Sequence, residues 1–145
     1  SETEYDRGIW REISPGITAA DFPGNEGGEP LVILSYGRIA YEALRAAAEI
    51  FLTRPVRVIR LSKICPLDRE AVLAAIGGAK RCLIVEEGMR RGGIGEMVAA
   101  ILSEMESPVR VKILAASDFV PHGDTASLTA ALSLDAAGII REAEF

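Results

Sequence analysis

Carboxylates, guanidinium groups and glycines crowd one stretch, VEEGMRRGGIGEMVAAI, from Val85 to Ile101. Glu86 and Glu87 are adjacent acids, Arg90 and Arg91 adjacent bases, and Gly88, Gly92, Gly93 and Gly95 lie among them. Glycines before a helical run are one way to cradle a phosphate, because the first backbone N–H groups of a helix converge there and its dipole favours an anion. The rest of that chemistry is missing. There is no GxGxxG in register and no GxxxxGK[ST], and the stretch opens on two carboxylates that repel phosphate. The mechanical reading is preferred: Gly92, Gly93 and Gly95 permit a tight turn and close contact between a helix and a strand.

Neighbouring residues on a strand point to opposite faces, so Glu86 and Glu87 form no catalytic pair while the strand continues. One of them is placed to accept hydrogen bonds from backbone N–H groups of the turn that follows. His122, the only histidine, sits in VPHGD; a general base and a structural turn residue are both open to it, and no triad partner is adjacent. Cys65, Cys82 and His122 are the only soft ligands, short of the usual zinc set, so no metal site is expected. Cys82 reads as core, and Cys65 as a turn residue before Pro66.

Elements must position these groups, and four segments repeat one arrangement. The apolar runs Leu31–Ser35, Val56–Leu61, Cys82–Glu86 and Val109–Leu114 are each followed by a helical pattern: AYEALRAAAEIFL, REAVLAAI, GEMVAAILSEM and SLTAALSL. Such alternation predicts right-handed βαβ crossovers and a parallel sheet covered on both faces. LVIL and CLIV are apolar on successive residues, as central strands require. In VRVKIL, Arg110 and Lys112 alternate with apolar residues, which fits a charge-protected edge. Asp68 is expected to cap REAVLAAI with Gly77 and Gly78 ending it, Asp124 to cap the helix after HGD, and Asp135 to cap a last helix in LDAAGIIREAEF. Residues 1–15 are expected to be an extension or linker and 16–145 one domain. ITAADF is the one strand predicted before LVIL.

Strand carboxyl ends gather on one rim of an open α/β sheet, where ligands usually bind. Lys63, Arg90, Arg91 and His122 all follow strands, so they are expected to share that rim as a positive surface for an acidic partner or an anion, with Glu86 and Glu87 beside them.

Composition limits the classes. In 145 residues, 49% are apolar and 26% charged, as in an ordinary globular domain, and the net charge of −5 does not favour nucleic acid. No apolar run approaches the ~20 residues that span a bilayer. The expectation is a soluble cytoplasmic protein with reduced thiols.

Five blocks in order, ILSYGRIAYEAL, VRVIRLSKICPLD, LIVEEGMRRGGIGEMVAAIL, FVPHGDTASL and LDAAGI, resemble the carboxy-terminal domain of transketolase-like thiamine diphosphate enzymes. The closest likeness is to 1-deoxy-D-xylulose-5-phosphate synthases, with the β subunits of 2-oxoacid dehydrogenases further off. The likeness runs from about Gly16 to Ile140. It implies a three-layer α/β/α domain around a five-stranded mixed sheet, mostly parallel, with one antiparallel edge strand that suits ITAADF. It also implies packing roles for Gly88, Gly92, Gly93 and Gly95, and a turn role for His122 with Gly123. Two departures stand before PLD: Cys65 where a basic or small polar residue is common, and Lys63 where arginine is.

A GDG-type metal–diphosphate segment and a pyrimidine-binding domain are both missing, so thiamine diphosphate and magnesium are implied for a complete enzyme and none for this chain. The resemblance implies an assembly domain, without catalytic residues of its own, of an enzyme that transfers a two-carbon unit from pyruvate to an aldehyde phosphate. Its partners would be upstream thiamine-binding domains in a homo-oligomer. The alternative is a free-standing module that binds a small anion or a partner protein at the rim.

Overall fold

The computed structural model describes residues 10–23, 28–36, 39–62, 68–89, 93–106, 108–116 and 136–144, with backbone alone for 87–89, 115 and 116. Among them run β1 (Arg11–Ser14), β2 (Ile17–Phe22), β3 (Leu31–Tyr36), α1 (Ile39–Ile50), β4 (Val56–Leu61), α2 (Arg69–Ile76), β5 (Arg81–Met89), α3 (Ile94–Leu102), β6 (Arg110–Ala116) and α4 (Ala136–Glu142). The sheet order is β1-β2-β4-β3-β5-β6. Strands β3 to β6 are mutually parallel, and β2 runs against both β1 and β4.

Alternating side chains divide the core into two slabs. Ala20, Phe22, Leu31, Ile33, Val56, Val58, Leu83 and Val85 meet α1 and α4, through Ala43, Leu44, Ala47 and Ile139. Ile17, Val32, Leu34, Ile59, Leu61, Cys82 and Ile84 meet α2 and α3, through Val72, Ile76, Val98 and Leu102. This is the expected three-layer α/β/α architecture. Leu31 to Leu34 are buried on both faces, as their unbroken apolar run requires. Each such side chain contributes about 1.5 to 3 kcal/mol of burial. On the edge strand β6, Lys112 Nζ lies 2.5 Å from Glu142 Oε2, tying the strand to α4.

The expected five strands are six, and ITAADF, though antiparallel as expected, is not the edge. Arg11–Ser14, expected as extension, pairs with it as β1, with Ser14 opposite Ile17. Pro15 and Gly16 make the reversal. Gly16 has φ 83°, where a side chain is disfavoured, which fits the Pro-Gly pair of a type II turn. Its carbonyl then accepts from Ser62 N at 2.9 Å.

Helix α2 follows its local signals. The Asp68 side chain accepts from Ala71 N at 3.1 Å, and Gly77, at φ 62°, closes the helix by donating to Leu73 O. Asp124, SLTAALSL and Asp135 lie outside the described residues.

Candidate functional site

Strand β5 carries Glu86 on the face that meets α2 and α3. The carboxylate is only 3% exposed, and its Oε2 accepts from Gly95 N at 3.1 Å. Gly95 is the second residue of α3. The N-cap, Gly93, is extended at φ −83° and ψ −179° and has no side chain to cap with, so Glu86 supplies from the preceding strand what an N-cap residue normally supplies. A carboxylate at a helix N-terminus is stabilised by the dipole and by a charge-assisted bond.

Gly95 is needed for that contact on steric grounds. A Cβ there would stand 2.9 Å from Ile113 Cγ2 and 3.1 Å from Glu86 Oε1, so α3 could not close onto β5 and β6. The first backbone N–H groups of this helix are therefore met, at Gly95, by the protein's own carboxylate. Glu86 Oε2 thus meets the backbone at the start of α3. Glu87 and Gly88 continue β5, whose pairing with β6 shifts register between Glu86 and Met89. Lys63, Arg90, Arg91, Gly92, His122 and Gly123 lie outside the described residues, as does Cys65. Cys82 is fully buried, and burial pushes its thiol up to about 12, so it is an inert core group.

The opposite face of the sheet carries a group that the motif reading passed over. Arg60, next to last on β4, points toward α1, and its guanidinium carbon lies 5.1 Å from the centroid of the Tyr41 ring in the first turn of α1. Arg60 Nε is shielded from solvent and has no hydrogen-bond acceptor among the described residues. Its register partners are Thr18 on β2 and Ser35 on β3, so three polar side chains stand in one row, while the other α1-facing positions of these three strands are apolar. Ser35, fully buried, donates its hydroxyl to Ile59 O at 3.2 Å. A polar residue at the first facing position of ITAADF and at the last of VRVIRL and LVILSY was the available signal. It becomes readable only once strand order and register are known.

Arg57, three residues earlier, is the internal contrast. Its Nε and Nη2 both donate to Asp21, at 2.6 and 3.2 Å, and Nη1 donates to Ala75 O at the end of α2. Beside that pair, at the amino ends of the parallel strands, opens a groove of about 520 Å³ walled by Phe22, Leu31, Pro55, Val56, Ile76 and Ala79. It lies at the rim opposite Glu86 and Arg60. Among the described residues, no three His, Cys, Asp or Glu side chains gather as a metal site, and no helix is long and apolar enough to cross a membrane.

Comparison with known proteins places this architecture. Residues 24–139 match the family described as transketolase, C-terminal domain. The chain is 36% identical over 149 residues to a 1-deoxy-D-xylulose-5-phosphate synthase of Bordetella petrii, across 97% of this chain and 23% of that protein. The corresponding synthase of Methylibium petroleiphilum is 40% identical over 114 residues, across 78% of this chain and 17% of its own. A solved split-gene transketolase, described as an inactive β4 tetramer, superposes with a TM-score of 0.68 at 26% identity, covering 83% of this chain and 42% of that one.

Proposed function

This chain belongs to the transketolase C-terminal domain family, and from that membership we propose that it serves as the assembly domain of a thiamine diphosphate enzyme of the 1-deoxy-D-xylulose-5-phosphate synthase type. The whole enzyme would transfer a two-carbon unit from pyruvate to an aldehyde phosphate. The chain spans about a quarter of the length of the Bordetella petrii relative, 23%, so the groups that hold and activate the cofactor would belong to other domains.

The observation that carries this reading is the Glu86–Gly95 contact. The one glycine turn that resembles a phosphate cradle has its helix end occupied from within, which supports a packing role for Gly93 and Gly95 rather than a cofactor role. The split-gene neighbour is described as inactive in its β4 form, which supports the view that a chain bearing this domain needs a partner to act. We place the docking face at the carboxyl-end rim, with Lys63, Arg90, Arg91 and His122 as its charged groups, Glu86 and Glu87 behind them, and Gly88, Gly92 and Gly123 shaping its turns. Charges on such a face steer association and fix orientation.

Two experiments test the reading. Calorimetric titration of the chain with thiamine diphosphate and magnesium is expected to give no saturable heat; micromolar binding overturns the assignment. Grafting the chain onto a Bordetella petrii synthase truncated of its matched segment is expected to restore turnover. Full turnover by the truncated synthase alone overturns the assembly role.

A further inference from the structure

The polar row on the α1 face has no place in the assembly role, and it stands where an open α/β sheet presents its strand carboxyl ends. We propose that Arg60 anchors the phosphate group of a small-molecule ligand at this rim, with Thr18 beside it and Tyr41 holding the guanidinium in place.

Three observations carry the assignment. First, on β2, β3 and β4 the α1 face is apolar from Phe22, Leu31 and Val56 inward through Ala20, Ile33 and Val58, and turns polar in a single register row, Thr18–Arg60–Ser35, at the carboxyl ends of β3 and β4. A sheet face that only packed against a helix would gain nothing from a guanidinium there. Second, the charge has no internal answer. Arg11 and Arg57 share Asp21, Arg45 meets Glu42, Arg69 meets Glu104, Arg81 meets Glu29, and Arg54, although its Nη2 is also shielded without an acceptor, donates its other N–H groups to the carbonyls of Glu29 and Ala143. Arg60 has no carboxylate within ion-pair distance among the described residues, and its Nε has no acceptor. A shielded polar atom without a partner is costly and calls for an explanation, of which a missing ligand is one. Third, the group is pre-oriented. The Tyr41 ring, 5.1 Å away, holds the guanidinium over its face, and a planar fork matches phosphate oxygens in a way that a free side chain does only after losing rotamer freedom.

Thr18 carries a hydroxyl in the neighbouring register position and supplies a second donor. Ser35, whose proton already goes to Ile59 O, keeps the backbone of β4 in place beside Arg60 rather than meeting the ligand. This site shares its rim with the proposed docking face but rests on different residues, and its test uses the isolated chain.

Titration of the 145-residue chain with inorganic phosphate, followed by the Arg60 Nε–H resonance at constant ionic strength set with chloride, is expected to give a saturable shift. Arg60→Met, checked for folding by circular dichroism, is expected to abolish phosphate binding as read by calorimetry. Arg60→Lys, which keeps the charge and loses the fork, is expected to weaken it by about tenfold, the loss of roughly one charge-assisted hydrogen bond. A linear, non-saturating shift overturns the site, because it reports only screening. Phosphate binding that survives Arg60→Met at wild-type affinity places the anion elsewhere and overturns it too. Should Arg60→Met fail to fold, Arg60→Lys decides alone, and equal affinity in that variant is fatal to the proposal. Equal saturation by acetate overturns the assignment to phosphate.

Discussion

Glu86 and Arg60 lie on opposite faces of one sheet near the carboxyl ends of its strands, and they show two ways of handling a charge. The carboxylate is almost wholly buried and answered from within, by the backbone of α3. The guanidinium is shielded in part and answered by an aromatic ring alone. Motif reading directs attention to the first, because glycines and charges cluster around it. The physical criterion directs it to the second. A position near a ligand-binding rim says little by itself; what matters is whether the fold has already satisfied the charge standing there.

The comparison breaks most visibly if Glu86 is dispensable. Glu86→Ala removes a charge-assisted bond and leaves a void at the start of α3, and the cost is expected at about 2 to 3 kcal/mol. For a chain of this size that is roughly a 5 to 10 °C drop in Tm. Glu86→Gln keeps the shape and an acceptor oxygen and is expected to lose less than half as much. A Glu86→Ala variant that melts with the wild type would mean the contact is incidental.

Gly95→Ala comes next, at about 1 to 3 kcal/mol, because a methyl group 2.9 Å from Ile113 Cγ2 forces either the helix or the strand to move. Gly78→Ala is the matched control. A Cβ at Gly78 meets nothing within 4 Å, so its effect is expected within about 0.5 kcal/mol. Thermal melts of the two variants side by side settle whether the turn is mechanical. An unchanged Tm for Gly95→Ala together with loss of an anion would reverse the assignment.

A smaller effect separates the two arginines of VRVIRL. Arg57→Met breaks a bidentate pair and uncaps Ala75 O, and is expected to cost about 1 kcal/mol. Arg60→Met removes a cation that has no acceptor at Nε, and is expected to leave stability unchanged or raise it slightly. Equal losses in chemical denaturation would show that Arg60 is as structural as Arg57 and would remove the reason to look for its ligand.

The fold is more legible in the sequence than the site, for identifiable reasons. LVIL and CLIV announced central strands because both faces of each are buried, and Asp68 with Gly77 bounded α2 because capping is local chemistry. The bond from Gly95 to Glu86 was foreseeable in kind, since a carboxylate at a strand end faces the N-terminus of the next helix. Strand β1 is not legible because REIS has no apolar alternation of its own, and the Pro-Gly after it reads as a break as readily as it marks a reversal. Arg60 was illegible because its significance lies in register: Thr18, Arg60 and Ser35 are far apart in sequence and become neighbours only when β2 and β3 flank β4.

The smallest expected effect completes the comparison with a charge that is answered but exposed. Lys112 donates to Glu142 and holds its carboxyl below the usual carboxylate range, chiefly through the hydrogen bond and then through the charge itself. A carboxyl depressed in the folded state stabilises above its unfolded pKa, about 4.3, and loses that contribution as pH falls through the lower folded value. Both side chains are solvated, so the contribution is at most a few tenths of a kcal/mol. Lys112→Met is therefore expected to lower Tm slightly at pH 7, with the difference from wild type shrinking at pH 3 and in high salt. A difference that stays constant down to pH 3 would mean that Lys112 acts through its aliphatic stem on β6, covering Leu114 and its neighbours, rather than through its charge. Charge exposure then orders all three cases: buried and answered, Glu86 supports the fold; solvated and answered, Lys112 scarcely matters to it; shielded and without an acceptor at Nε among the described residues, Arg60 is the one proposed to take a ligand.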